Sequence, residues 1–213
     1  VANLSPNFTK GTRPKIGYIL HGTLGKYEGA VEWLCTPPEK RPVVSYSSAH
    51  YVIAKDGRVT QLVADSDVSW HAGNVSNPTK RAQTLLPTVN GKYLNPNESF
   101  IGIELEWLTT VDEITTKQYQ VVADIIKKGG IANPVILCHK EVTDYKADFP
   151  NSEAVISELK RYLTSNSAPQ PTQPKVDAVT PLLVKLNAQM ANKDYKGAKD
   201  TTSYLFNELS KIK

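Results

Sequence analysis

The chain has 213 residues, enough for one domain with a well-buried core and some length to spare. Its composition, 40% hydrophobic and 8% aromatic, is that of an ordinary globular protein, and no run of about 18 apolar residues is present to cross a membrane. The net charge of +4 is too small, and too thinly interleaved with Arg and aromatics, for a nucleic-acid surface.

From the N-terminus, VANLSPNFTKGTRPK shows no apolar stretch of signal-peptide length. The expectation is a chain made without a leader, or a mature secreted form. Ile16–Leu20 is a short apolar run ending in His21-Gly22, which reads as a buried strand. Gly29–Cys35 suits one or two helical turns, stopped by Pro37-Pro38. SSAHYVIAKDGRVTQLV places two β-rich arms around Asp56-Gly57, a hairpin signature.

Further on, SFIGIELEW alternates: Ile101, Ile103, Leu105 and Trp107 face one way, Gly102, Glu104 and Glu106 the other. TTKQYQVVADIIKKGG predicts a helix with a Thr115/Gln118 capping box, an apolar line of Tyr119, Val122 and Ile126, and Gly129 to close it. Val135–Cys138 reads as another strand and Ser152–Leu163 as another helix. The mixture predicts an α/β fold with a central mixed sheet flanked by helices. Cys35 and Cys138 are far apart in sequence, and two core thiols are a simpler expectation than a disulfide.

The stretch SNSAPQPTQPK (165–175) has linker composition, so residues 1–164 are expected to form the main domain. Beyond it, 176–213 carries two amphipathic lines, Leu182, Leu183, Leu186, Met190 and then Tyr195, Ala198, Thr202, Leu205, Leu209, Ile212. These predict a small helical hairpin that must dock on something. From Lys175 onward there are seven Lys against four acidic residues, so the appendage holds most of the positive surplus. It suits either an anionic polymer or a helical prop that docks on the main domain or on another chain.

The chemistry-bearing residues are few. Of the four histidines, His21 and His139 end separate predicted strands, His50 lies in the hairpin and His71 in SWHAGN. Strand ends on one edge of a sheet converge on a cleft. A catalytic zinc takes three protein ligands and an open position. His21, His139 and Asp148 would supply two imidazoles and a carboxylate, while KADFP taken alone reads equally well as a solvated turn.

Taken together and in order, ILHGT, SAHYVIAKDGRV, SWHAGN, SFIGIELEW and CHKEVTDYKADFP resemble the zinc-dependent N-acetylmuramoyl-L-alanine amidase family. That fold is shared by phage endolysins, bacterial cell-wall amidases and peptidoglycan recognition proteins. The resemblance spans residues 14 to 163 and leaves out the tail. It implies one Zn2+ held by His21, His139 and Asp148, a general base at Glu104, an oxyanion-stabilising Lys146, and His71 lining the substrate groove. The implied reaction is hydrolysis of the bond between N-acetylmuramic acid and L-alanine in peptidoglycan, at the bacterial cell wall.

Glu106 competes with Glu104 for the base, and a solvated strand residue is its simpler reading. Cys138 is expected in the core and His50 in a bracing role. The sequence departs from the family at Ala49, where some phage members carry Tyr, and in the loop EVTDYKADFP. The other functions open at this stage are a binding module without activity and a zinc peptidase cutting within the stem peptide. No carboxylate pair suggests a glycosidase.

Overall fold

A computed structural model describes residues 3–11, 14–109 and 112–164, so the expected linker (165–175) and helical hairpin (176–213) lie outside the described residues. In chain order the elements are β1 (Phe8–Thr9), β2 (Gly17–Gly22), α1 (Tyr27–Cys35), a 3-10 turn (Pro38–Lys40), β3 (Tyr51–Ile53), β4 (Val59–Gln61) and β5 (Val68–Ser69). There follow α2 (Lys80–Leu85), β6 (Thr88–Val89), β7 (Lys92–Tyr93), α3 (Pro96–Ser99), β8 (Phe100–Leu105), α4 (Thr116–Gly129), β9 (Val135–Cys138), α5 (His139–Val142) and α6 (Ser152–Thr164).

The central sheet has the order β4-β3-β8-β2-β9. Strands β3, β8, β2 and β9 run parallel, while β4 returns antiparallel to β3. This is the mixed α/β architecture that the sequence predicts. The β3–β4 turn is shaped by Gly57 at φ +90, a conformation open to a residue without Cβ, and Asp56 Oδ1 accepts the Arg58 N–H at 3.0 Å.

Strand β2 is buried on both faces because helices and loops cover the sheet on each side. On one face Tyr18, Leu20, Ile101, Ile103, Leu105 and Trp107 pack with Val122 and Ile126 of α4 and Ile156 and Leu159 of α6. Each such side chain removed from water contributes about 1.5–3 kcal/mol. On the other face Ile19, Phe100 and Leu137 pack under Ala72, Ala82, Leu86 and Val142. Period-2 alternation sends His21 and Glu104 to this second face, where they sit directly across from one another in the β2–β8 register.

Three details differ from the sequence expectation. Helix α1 starts at Tyr27 rather than Gly29. Helix α4 runs through Gly129 and is closed by Gly130, whose φ of +65 is the left-handed C-cap; the Thr115/Gln118 capping box is formed. The late strand ends at Cys138, and His139 opens α5 instead, because the Glu141 carboxylate reaches back to accept the Cys138 N–H at 2.9 Å. Cys35 and Cys138 are both free thiols.

Candidate metal centre and cleft

Parallel pairing brings the C-terminal ends of β2, β8 and β9 to one edge, and with them His21, Glu104 and His139. Asp148 joins them from the loop after α5, its Oδ2 accepting the Gly22 N–H at 3.4 Å. The chain turns away immediately afterwards at Phe149, which takes φ +51 and lays its ring 5.3 Å from Trp107. His21, His139 and Asp148 are 2–5% exposed. One ligand atom from each lies within 4.8 Å of the others.

The ring protons can be assigned from groups that can only accept. His139 Nε2–H donates to the Ala72 carbonyl (3.1 Å), leaving its Nδ1 as a lone pair. His71 Nε2–H donates to the Phe100 carbonyl (3.3 Å), so its Nδ1 accepts from His21 Nε2–H (2.9 Å). His21 Nδ1 is therefore also a lone pair, and it faces His139 Nδ1 at 2.8 Å. Two lone pairs at that separation cannot bond to each other. With the Asp148 carboxylate 4.0 Å from His139 Nδ1, they form a two-imidazole, one-carboxylate donor set that suits a divalent ion such as zinc.

Burial, with the neighbouring charges of His139, His71 and Lys146 adding, pushes the His21 pKa well below the usual histidine value. His139 is lowered to about 4 by burial and by Lys146, against the opposing hydrogen bond to Ala72. Both rings are thus neutral at pH 7, as a metal ligand must be.

Glu104 Oε2 is buried and has no hydrogen-bond partner among the described residues. Burial raises the Glu104 pKa to about 8, with Asp148 adding to the rise and Lys146 opposing it. Lys146 lines the same cleft, of about 650 Å³, with its Nζ 5.6 Å from the centre of the exposed Tyr145 ring. His71 borders this cleft at 9% exposure, its ring seated against Gly102. A Cβ on Gly102 would lie 2.4 Å from His71 Cγ, so only glycine leaves the ring room.

Glu106, on the same strand face, is drawn away: its Oε2 accepts the Lys55 N–H at 2.9 Å. His50 braces the strands, accepting the Gly102 N–H at Nδ1 (2.9 Å) and donating from Nε2 to the Asp67 carbonyl (3.1 Å). Cys138 is fully buried in the core on the α4–α6 face.

Sequence reasoning passed over Asn97, whose Oδ1 accepts both the His71 and Ala72 N–H groups. It also passed over Arg81, which bridges Glu141 (2.6 Å) and the Ile136 carbonyl (2.7 Å) beneath the His139 turn. Only the Asn95-Pro96 helix start hinted at the first, and nothing local pointed to the second.

Residues 11–152 match the family described as N-acetylmuramoyl-L-alanine amidase. Over 71 residues the chain is 34% identical to N-acetylmuramoyl-L-alanine amidase A of Achromobacter lyticus, a stretch that makes up 33% of this chain. The chain spans 37% of the length of that curated relative. Among solved structures, AmpD in a selenomethionine crystal form superposes with a TM-score of 0.55 at 23% identity, covering 75% of this chain and 92% of that one. AmpDh3 from Pseudomonas aeruginosa, in complex with an anhydromuramic pentapeptide, gives a TM-score of 0.51 at 24% identity over 71% of this chain and 60% of its own. At these identities the structural likeness establishes the fold.

Proposed function

The chain belongs to the N-acetylmuramoyl-L-alanine amidase family, and from that premise we propose that it hydrolyses the amide joining the lactyl group of N-acetylmuramic acid to the L-alanine of the peptidoglycan stem peptide. The observation that carries this reading is the pair of facing Nδ1 lone pairs beside Asp148, with the unpartnered Glu104 Oε2 on the adjoining strand.

In this reading His21, His139 and Asp148 hold one zinc ion. When bound there, zinc supplies Lewis acidity, making water nucleophilic near neutral pH and polarising a carbonyl. Glu104 takes a proton from the attacking water and later hands it to the departing L-alanine amine. Burial raises its pKa well above the usual carboxylate range in the metal-free protein, the direction that suits a carboxylate meant to take a proton and give it back. The Lys146 ammonium offsets negative charge growing on the amide oxygen, a contribution of about 3 kcal/mol when water is excluded. His71 closes the inner wall of the groove, and the exposed rings of Trp33 and Tyr145 at the rim offer faces to sugar or peptide. The basic appendage beyond 175 adds affinity for the anionic wall.

The test is incubation with purified peptidoglycan, with and without a chelator, scoring new amino ends. Metal-dependent release of L-alanine amino ends supports the amidase. New amino ends of another residue point to a peptidase, and binding without release points to a recognition module.

A further inference from the structure

Two consecutive residues, His71 and Ala72, touch both imidazoles of the metal centre from behind. His71 offers Nδ1 to His21 Nε2 at 2.9 Å, and Ala72 offers its carbonyl to His139 Nε2 at 3.1 Å. Both residues hang from one side chain. Asn97 Oδ1 accepts the His71 N–H at 3.0 Å and the Ala72 N–H at 2.7 Å. Asn97 is only 6% exposed, and its own N–H is held by Asn95 Oδ1 (3.0 Å) at the start of α3. A single amide oxygen therefore fixes the peptide that contacts both rings.

We propose that Asn97 and the His71–Ala72 peptide act as one positioning device, selecting the Nε2–H tautomer of His21 and of His139 so that both Nδ1 lone pairs face the metal position. A carbonyl oxygen cannot donate, so Ala72 admits only one tautomer of His139. The Phe100 carbonyl does the same for His71 (3.3 Å), and His71 passes the choice to His21. Gly102 makes room for this relay, since a Cβ there would collide with the His71 ring. An imidazole in the other tautomer would present N–H to the cation instead of a lone pair. The role of His71 is thus more than lining a groove: its Nδ1 also orients His21 from behind.

This inference rests on the zinc reading for its purpose, but its structural content can be measured without metal. The experiment is long-range 1H–15N correlation on histidine-labelled, metal-free protein, paired with Zn2+ affinity from competition with a chromophoric chelator. Wild type should show Nε2 protonated and Nδ1 bare for both His21 and His139. Asn97→Ala should mix the tautomers of both rings and weaken Zn2+ binding about 10–100-fold. Asn97→Asp, which keeps an acceptor for both N–H groups, should restore wild-type tautomers and most of the affinity. His71→Leu should disturb His21 alone, leaving His139 unchanged, and His71→Gln should rescue it. That asymmetric pair carries the test if Asn97→Ala does not fold.

Wild-type tautomers and affinity in both Asn97→Ala and His71→Leu would overturn the proposal, as would a protonated Nδ1 on either ring in wild type. The expected tautomer pattern with no Zn2+ binding would uphold the device and sink the zinc hydrolase reading instead.

Discussion

His21 and His139 stand Nδ1 to Nδ1 at 2.8 Å although 118 residues separate them, and the Nε2 of each is already committed elsewhere. This opposition of lone pairs is a local cost that a shared cation removes. Asp148 supplies the negative charge that makes the exchange favourable.

The first prediction concerns metal. Wild type should bind one Zn2+ per chain by titration calorimetry, with no protons released from the two imidazoles at pH 7 because both are already neutral. His21→Ala or Asp148→Ala should weaken binding by about 100-fold or more, beyond what outer-layer substitutions typically cost. Undiminished affinity in either variant would mean the ion sits elsewhere.

The two glutamates of IGIELEW should separate cleanly. Glu104→Gln should keep zinc and fold while losing about 10²–10⁴ in kcat. Glu106→Gln should stay near wild-type turnover, since that carboxylate is spent on the Lys55 N–H. Comparable losses in both, read as single-turnover rates, would remove the assignment of the base.

Lys146→Met should lower kcat by about 10²–10³ with a smaller change in KM, as expected for charge met only as the transition state forms. Because the Lys146 charge holds the Glu104 pKa down, its removal should also move the acid limb of the pH–rate profile to higher pH. A rate loss without that displacement would place Lys146 away from Glu104.

In metal-free protein, wild type should lose stability relative to Glu104→Gln as pH rises from 6.5 to 8. Glu104 is protonated in the folded state up to about 8 but ionised above about 4.5 when unfolded, so over this window the folded state holds the extra proton. The loss should be on the order of 1–2 kcal/mol by urea denaturation in the presence of chelator. His21, His50, His71 and His139, all lowered chiefly by burial, add stability as pH rises through the usual histidine value, but they do so in both proteins and cancel from the difference. Glu104→Gln should instead gain stability with pH over the lower part of the window, where only the histidines contribute. A difference between the two proteins that does not change with pH would remove the raised pKa from Glu104.

Much of the scaffold is written locally. Apolar runs in β2, β8 and β9, the Asp56-Gly57 turn and the Thr115/Gln118 capping box are properties of a few adjacent residues, and the structure builds each of them. Parallel pairing then gathers His21, Glu104 and His139 without further instruction. The supporting shell was opaque for the opposite reason. Asn97 reaches His71 across 26 positions and Ala72 reaches His139 across 67, through a backbone amide and a carbonyl that every residue possesses. Glu104 and Glu106 share a strand face and a residue type, and only the fold of the hairpin, which brings the Lys55 N–H to Glu106, tells them apart. The Gly130 cap and the helical start at His139 are likewise decided by geometry one residue beyond what periodicity resolves.

The most direct measurement is the chemical identity of the new amino terminus released from purified peptidoglycan by the zinc-loaded protein. Free L-alanine amino ends should accumulate, should cease with chelator, and should be nearly absent with Glu104→Gln. Release of any other amino end, or L-alanine release that Glu104→Gln leaves at the wild-type rate, would contradict the account.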